Sequence, residues 1–181
     1  MKPAKFQTSI PLVMEILEPH REKLGSDFVS YAHHCYRVAH FCLAFSRDHP
    51  IPEKIFIASA FHDLGIWTEK TFDYLGFSEE LAGRYLAAKG KAEWSEEIVS
   101  MIENHHKITP YRGESAWLTE SFRKADWVDI TLGCWRFGLA RSFIKEVRDA
   151  FPNAGFHRKL VRLTQARLMT HPLSPLPMLR W

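Results

Sequence analysis

In AFHDLGIW, residues 60–67, a His-Asp pair closes an otherwise apolar run. Ile55, Ala58 and His62 stand at i, i+3 and i+7, so the His62 imidazole points where the apolar side chains point. Burying an unpartnered polar group costs about 2–7 kcal/mol, and a bound metal ion would offset that cost for both members of the pair. Three other segments repeat the pattern. His34 keeps register with Val38, Phe41 and Phe45, whereas His33 aligns with Arg37 and His40 on a more polar side. Ile98, Met101, Ile102 and His105 share a face that His106 flanks. Leu118, Phe122, Ala125 and Asp129 form a stripe, with Asp126 one turn beyond Phe122. Two neutral imidazoles and two carboxylates balance a divalent cation and offer the N and O donors that suit Mn, Fe, Co, Ni, Zn or Mg. One divalent metal ion shared by these segments is the economical expectation.

The elements that must position these residues read as helices almost throughout, with no alternating runs bounded by hairpin turns. A first helix is expected near Ser9, with Pro11 in its first turn and Pro19 as its stop. A long second one starts at Ser26-Asp27, whose side chains could cap it, and runs to Pro50. Pro52 opens a third, which Gly65 ends. Residues 66–77 read as an aromatic loop. Helices from Ser78 to Gly90, from Ser95 to a stop at Pro110, and near 115–132, 134–151 and 155–171 follow, and HPLSPLPMLRW is an extended tail. The fold class is all-α: residues 26–132 form the core of one domain, with residues 1–25 and 133–181 packed on it.

At 181 residues and 46% hydrophobic content, the chain can bury one core. No apolar run is long enough to span a membrane and the N-terminus has no signal-like apolar stretch, so a cytoplasmic protein with no membrane partner is expected. Cys35, Cys42 and Cys134 form no paired framework and read as small buried thiols. The charge is uneven: residues 141–181 hold eight Lys and Arg against two acids. That excess fits an anion-binding face or a solvated basic helix side. No aromatic-rich motif accompanies it, so a nucleic-acid partner is not expected. Six Trp in a helical bundle make a homodimer a reasonable expectation.

The order His34, His62-Asp63, Asp126 resembles the signature of the HD-domain superfamily of metal-dependent phosphohydrolases, H…HD…D on an all-α bundle. HHCYRVAHFCLAF is similar to that family's first helix, where the ligand His precedes Arg-Val by three residues; this selects His34, as the periodicity does. IASAFHDLGI is similar to its core motif and FRKADWVDI to its late KAD helix, whose Asp is Asp126 here. The resemblance implies that His34, His62, Asp63 and Asp126 ligate the metal, and that ENHHKI supplies His105 as a further ligand or a catalytic group. No His lies between Asp63 and His105, unlike branches with two metals. The long signature of cyclic dinucleotide hydrolases is also missing.

The same resemblance implies hydrolysis of a small phosphorylated substrate, a phosphate ester, nucleotide or phosphodiester, by a metal-activated water that Asp63 orients. Lys70, Lys107, Arg112 and Lys124 are the cations near ligand-bearing segments, and Glu69 is a candidate general acid or base. Related HD proteins also include a hydratase of small nitrile-like compounds, iron-dependent oxygenases and non-catalytic ligand-binding modules. The aromatics at 67, 72, 74 and 77 would suit the small dry pocket of a hydratase.

Overall fold

The computed structural model describes residues 8–46 and 51–181, all helices, turns and loops apart from one isolated backbone bridge. The helices are α1 (Pro11–Leu17), α2 (Arg21–Leu24), α3 (Phe28–Phe45), α4 (Pro52–Phe61), α5 (Gly65–Thr68), α6 (Leu75–Ala88), α7 (Ser95–Asn104), α8 (Ala116–Ile130), α9 (Arg141–Ala150) and α10 (Phe156–Thr170). Pro50, expected to end the second long helix, lies outside the described residues.

Two helices are apolar nearly all round, and they make the centre. From α3, Tyr31, Cys35, Val38, Phe41 and Cys42 are buried, and from α4 every residue from Ile55 to Phe61 is. A helix without a polar face must be enclosed on all sides. The layers around it follow: α3 packs chiefly on α8 and α4, α1 lies on α4, and α7 fits between α4, α6 and α8. Ile144, Val147, Phe151 and Phe156 from the C-terminal third join the same buried cluster. Pro11 and Pro52 each open a helix at the position where a missing N–H costs nothing.

Several local expectations change. Asp27 does not cap α3; its carboxylate accepts instead from Trp67 Nε1 at 3.0 Å and pairs with Lys159 at 2.8 Å, tying the start of α3 to α5 and α10. The stretch read as an aromatic loop contains α5 and the start of α6, which begins at Leu75 rather than Ser78. The helix expected from 134 begins only at Arg141, because Leu132, Gly133, Phe137 and Gly138 take left-handed conformations. Cys134, in that loop, is therefore exposed, unlike Cys35 and Cys42.

Gly65 does not terminate α4, which ends at Phe61; it opens α5 at a point of close approach. A Cβ there would stand 2.6 Å from the Tyr74 carbonyl oxygen, and the Gly65 N–H donates to Ser78 Oγ at 3.0 Å. This contact seats the turn that carries His62 and Asp63 against α6. Gly65→Ala is expected to lower stability by about 1–3 kcal/mol, the usual cost of forcing atoms into a packed site. Thermal unfolding would show this as a Tm several degrees lower; an unchanged Tm would mean the approach relaxes freely.

Candidate metal centre

Three helix segments converge on one point. His34 comes from the middle of α3, His62 and Asp63 from the turn that ends α4, and Asp126 from α8; each is at most 3% exposed. The two imidazole Nε2 atoms face each other at 2.8 Å. Asp63 Oδ2 lies 3.5 Å from His34 Nε2 and 3.6 Å from His62 Nε2, and Asp126 Oδ1 lies 3.6 and 3.7 Å from the same atoms. Ligand bonds of about 2.0–2.2 Å set neighbouring donors roughly 2.9–3.5 Å apart, so the four atoms nearly match a coordination shell.

The far side of each imidazole is held. His34 Nδ1–H donates to Asp129 Oδ2 at 2.7 Å, and His62 Nδ1–H to the Ser59 carbonyl at 2.9 Å. Both Nε2 atoms are thereby turned inward, as outer hydrogen bonds turn metal-binding histidines. Asp129 is gripped in turn by Arg37, whose Nε and Nη2 donate to its two oxygens at 2.6 and 2.8 Å. Arg37 also donates to the Phe151 carbonyl at 3.0 Å. The periodicity set both Asp126 and Asp129 inward, and the structure gives them different surroundings: Asp126 faces the imidazoles bare, while Asp129 is enclosed by donors.

Charge makes the case for a cation. Asp63 Oδ1 and both oxygens of Asp126 are buried with no hydrogen-bond partner among the described residues, a costly state for carboxylates unless a cation meets them. Burial alone would raise both carboxyls. The surrounding histidines outweigh it, holding Asp63 well below the usual range and Asp126 below it. Burial likewise pulls the His34 imidazole down, but Asp129 and Asp63 overcome it and carry its pKa up to about 9. Burial pushes His62 down to about 4. The two Nε2 atoms thus face each other and the carboxylates at a point where a divalent ion would supply positive charge. The residues present fit a metal ion, and two overlapping groups could hold one: His34, His62 and Asp63, and Asp63, His105 and His106.

The His105-His106 pair departs from the helical register. α7 ends at Asn104, so both lie in the turn that follows and both reach the site. His105 is fully buried with Nε2 3.3 Å from Asp63 Oδ1. His106 Nδ1 is 3.3 Å from Asp126 Oδ2, and its Nε2 accepts from the Tyr74 hydroxyl at 3.0 Å. Arg123 and Trp127 of α8 both donate to the Lys107 carbonyl, fixing this turn.

A cavity of about 210 Å³ opens onto these groups. His34, Asp63, Asp126, His106 and Tyr74 form its polar end. Phe72, Trp127 and Phe156 line the remainder, together with Leu176, Met178 and Leu179 of the C-terminal tail. Phe156 also stacks on His34, with ring centroids 4.0 Å apart. The tail is held by a backbone bond, Ile108 N–H to the Arg180 carbonyl at 2.7 Å. Neither Glu69 nor any of the four expected cations lines the cavity. Glu69, Lys70 and Arg112 are exposed, Lys107 Nζ donates to the Trp181 carbonyl, and Lys124 lies 3.5 Å from Glu120. His106, Tyr74 and the tail were not singled out for catalysis by the sequence; the signals were a His doublet at a helix end and Leu-Pro-Met-Leu at 176–179.

A family model for the HD domain matches residues 31–130. The chain belongs to the HD domain family. Members of this family are in general metal-dependent hydrolases, and the all-α bundle and buried His/Asp cluster of this HD protein accord with that. No curated protein and no solved structure matches the chain.

Asp129→Asn would leave Arg37 buried without its anion, and the loss of one partner of a buried pair costs about 3–5 kcal/mol. Burial favours a neutral Asp129, but Arg37 and His34 prevail and hold its carboxyl well below the ordinary range. Its contribution is therefore complete above the unfolded value of about 3.9 and is lost as pH falls toward the lower folded value. Denaturant unfolding from neutral pH down to pH 3 should show stability falling in the native protein, with a shallower fall in the already weakened variant. Equal slopes would contradict this role.

Proposed function

We propose that this HD protein is a metal-dependent hydrolase of a small phosphate monoester whose organic part is apolar and compact. The observation that carries this reading is the two-ended cavity: a His/Asp cluster with two flanking proton-bearing groups at one end, and aromatic and aliphatic walls filling the rest. We assign the metal to His34, His62, Asp63 and Asp126, one tightly held ion per chain, with His105 buttressing Asp63. When bound, a divalent ion supplies Lewis acidity toward a phosphoryl oxygen and lowers the pKa of a coordinated water.

The chain's own groups do the rest. Asp63 Oδ1, which has no hydrogen-bond partner among the described residues and faces the site, orients the attacking water and accepts its proton. Tyr74 keeps its hydroxyl proton, since burial and the neighbouring Asp63 raise its pKa well above the usual value. Its oxygen lies 3.3 Å from His105 Nε2 and 3.0 Å from His106 Nε2, so the Tyr74 hydroxyl, positioned by His106, offers the proton that the departing alkoxide takes up. The apolar walls exclude bulk water and bind the organic group. The tail closes the cavity and limits substrate size.

No Lys or Arg lines the cavity among the described residues. This disfavours nucleoside triphosphates, whose charge calls for several cations, and it favours a second reading, hydration of a small neutral nitrile-like substrate at the same site.

A panel of small aryl and alkyl phosphomonoesters beside small nitriles, assayed for phosphate and amide with metal-supplemented protein, separates the two. Phosphate release from compact apolar monoesters is expected, with His106→Ala reducing kcat by about 10²–10⁴-fold, the usual worth of acid–base catalysis. Leu176→Ala combined with Leu179→Ala should admit bulkier esters. Amide formation alone would establish the second reading, and turnover of neither class by metal-loaded protein would contradict both.

A further inference from the structure

Away from this cavity, the loop between α8 and α9 and one face of α9 enclose a second concavity of about 470 Å³. Arg141, Ile144, Lys145 and Arg148 fall at i, i+3, i+4 and i+7 of α9, so they form a single stripe. Arg136 completes the rim from the loop, and Leu132, Gly133 and Ile144 supply apolar lining. A Cβ at Gly133 would stand 3.0 Å from Ile144 Cγ2, at a φ of +83°, so glycine lets the loop close on the helix.

The charge of this groove is unbalanced. Its one carboxylate, Asp149, is 2.5 Å from Lys145. The guanidinium groups of Arg136 and Arg141 make no ion pair among the described residues. Arg148 turns inward: its buried Nη1 has no hydrogen-bond partner among those residues and lies 3.8 Å from Asp129 Oδ1. Two bulky residues of the loop, Leu132 and Phe137, are held at φ of +56° and +45°, and strain of this kind is concentrated at ligand clamps. Guanidinium forks match phosphate oxygens in pairs. The volume lies within the range of about 300–1,000 Å³ typical of small-ligand pockets, and concavity suits a compact anion better than an extended polymer.

We infer that the α8–α9 groove is a binding site for a small polyphosphorylated ligand, held by Arg136, Arg141 and Arg148 and separate from the metal centre. It backs onto the Asp129–His34 pair through Arg148, and it accounts for part of the basic excess of the C-terminal residues.

Cys134 makes the site testable, because it lines the groove and is exposed while Cys35 and Cys42 are buried. The full chain is alkylated with uncharged iodoacetamide at low ionic strength, with and without inorganic tripolyphosphate, and modification of Cys134 is followed by mass spectrometry. At about ten times its Kd the ligand fills roughly nine-tenths of the sites, so Cys134 should react up to about tenfold more slowly. The double variant Arg136→Gln, Arg141→Gln alters one half-buried and one exposed side chain and should abolish this protection while its circular dichroism spectrum stays native. No protection at millimolar tripolyphosphate overturns the proposal, as does protection that persists in the variant. Protection by a short RNA but not by tripolyphosphate would reassign the groove to nucleic acid.

Discussion

The arrangement of the metal centre depends on one buried carboxylate. Asp129 receives Arg37 on both oxygens and the Nδ1–H of His34 on one of them, so a single side chain of α8 fixes two side chains of α3. Arg37 carries the linkage on to the Phe151 carbonyl beyond α9. Since Asp129 is fully neutralised by these donors, it is left as a scaffold. The charge that is not neutralised resides on Asp63 and Asp126, whose oxygens face the two Nε2 atoms. The distinction between the two aspartates of α8 is therefore electrostatic: one is surrounded by hydrogen-bond donors, and the other is presented to a cation.

That division explains how the cavity acquires its two ends. Helices α3, α4 and α8 are held rigidly around the His/Asp cluster because they form the apolar centre of the bundle. The other walls come from Phe72 before α6, from α10 and from the tail, which contribute hydrocarbon and aromatic surface apart from Thr164 of α10. Cations stand elsewhere, on the exposed turns and in the α8–α9 groove. On the proposed reading, a substrate reaching the metal centre is selected by size and apolar fit.

Much of this was legible in the residues. The inward direction of His34 and His62 followed from helical spacing because both sit within or directly at the end of regular helices. The same test turned His105 inward, as the structure has it, but it did not show that His106 also reaches Asp126, because α7 has ended by then and 100° per residue no longer applies. It could not tell Asp126 from Asp129, since both face inward and only the long-range pairing with Arg37 separates them. The loop cations and Glu69 were close to the ligands in sequence, yet chain proximity says nothing about direction once a segment turns outward. The tail's part in the cavity was hidden for a different reason: its Leu and Met residues show no helical period, and the placement of Met178 and Leu179 rests on a backbone bond from residue 108 to Arg180 that no local pattern encodes.

The most direct test of the metal centre is elemental analysis of protein purified without chelators or a metal-binding tag, beside a His62→Ala variant whose fold is verified by circular dichroism. About one equivalent of a divalent metal per chain in the native protein, lost in the variant, is the result this structure predicts. A folded His62→Ala protein that keeps its full metal load, or a native protein that takes up no metal on reconstitution, would contradict it.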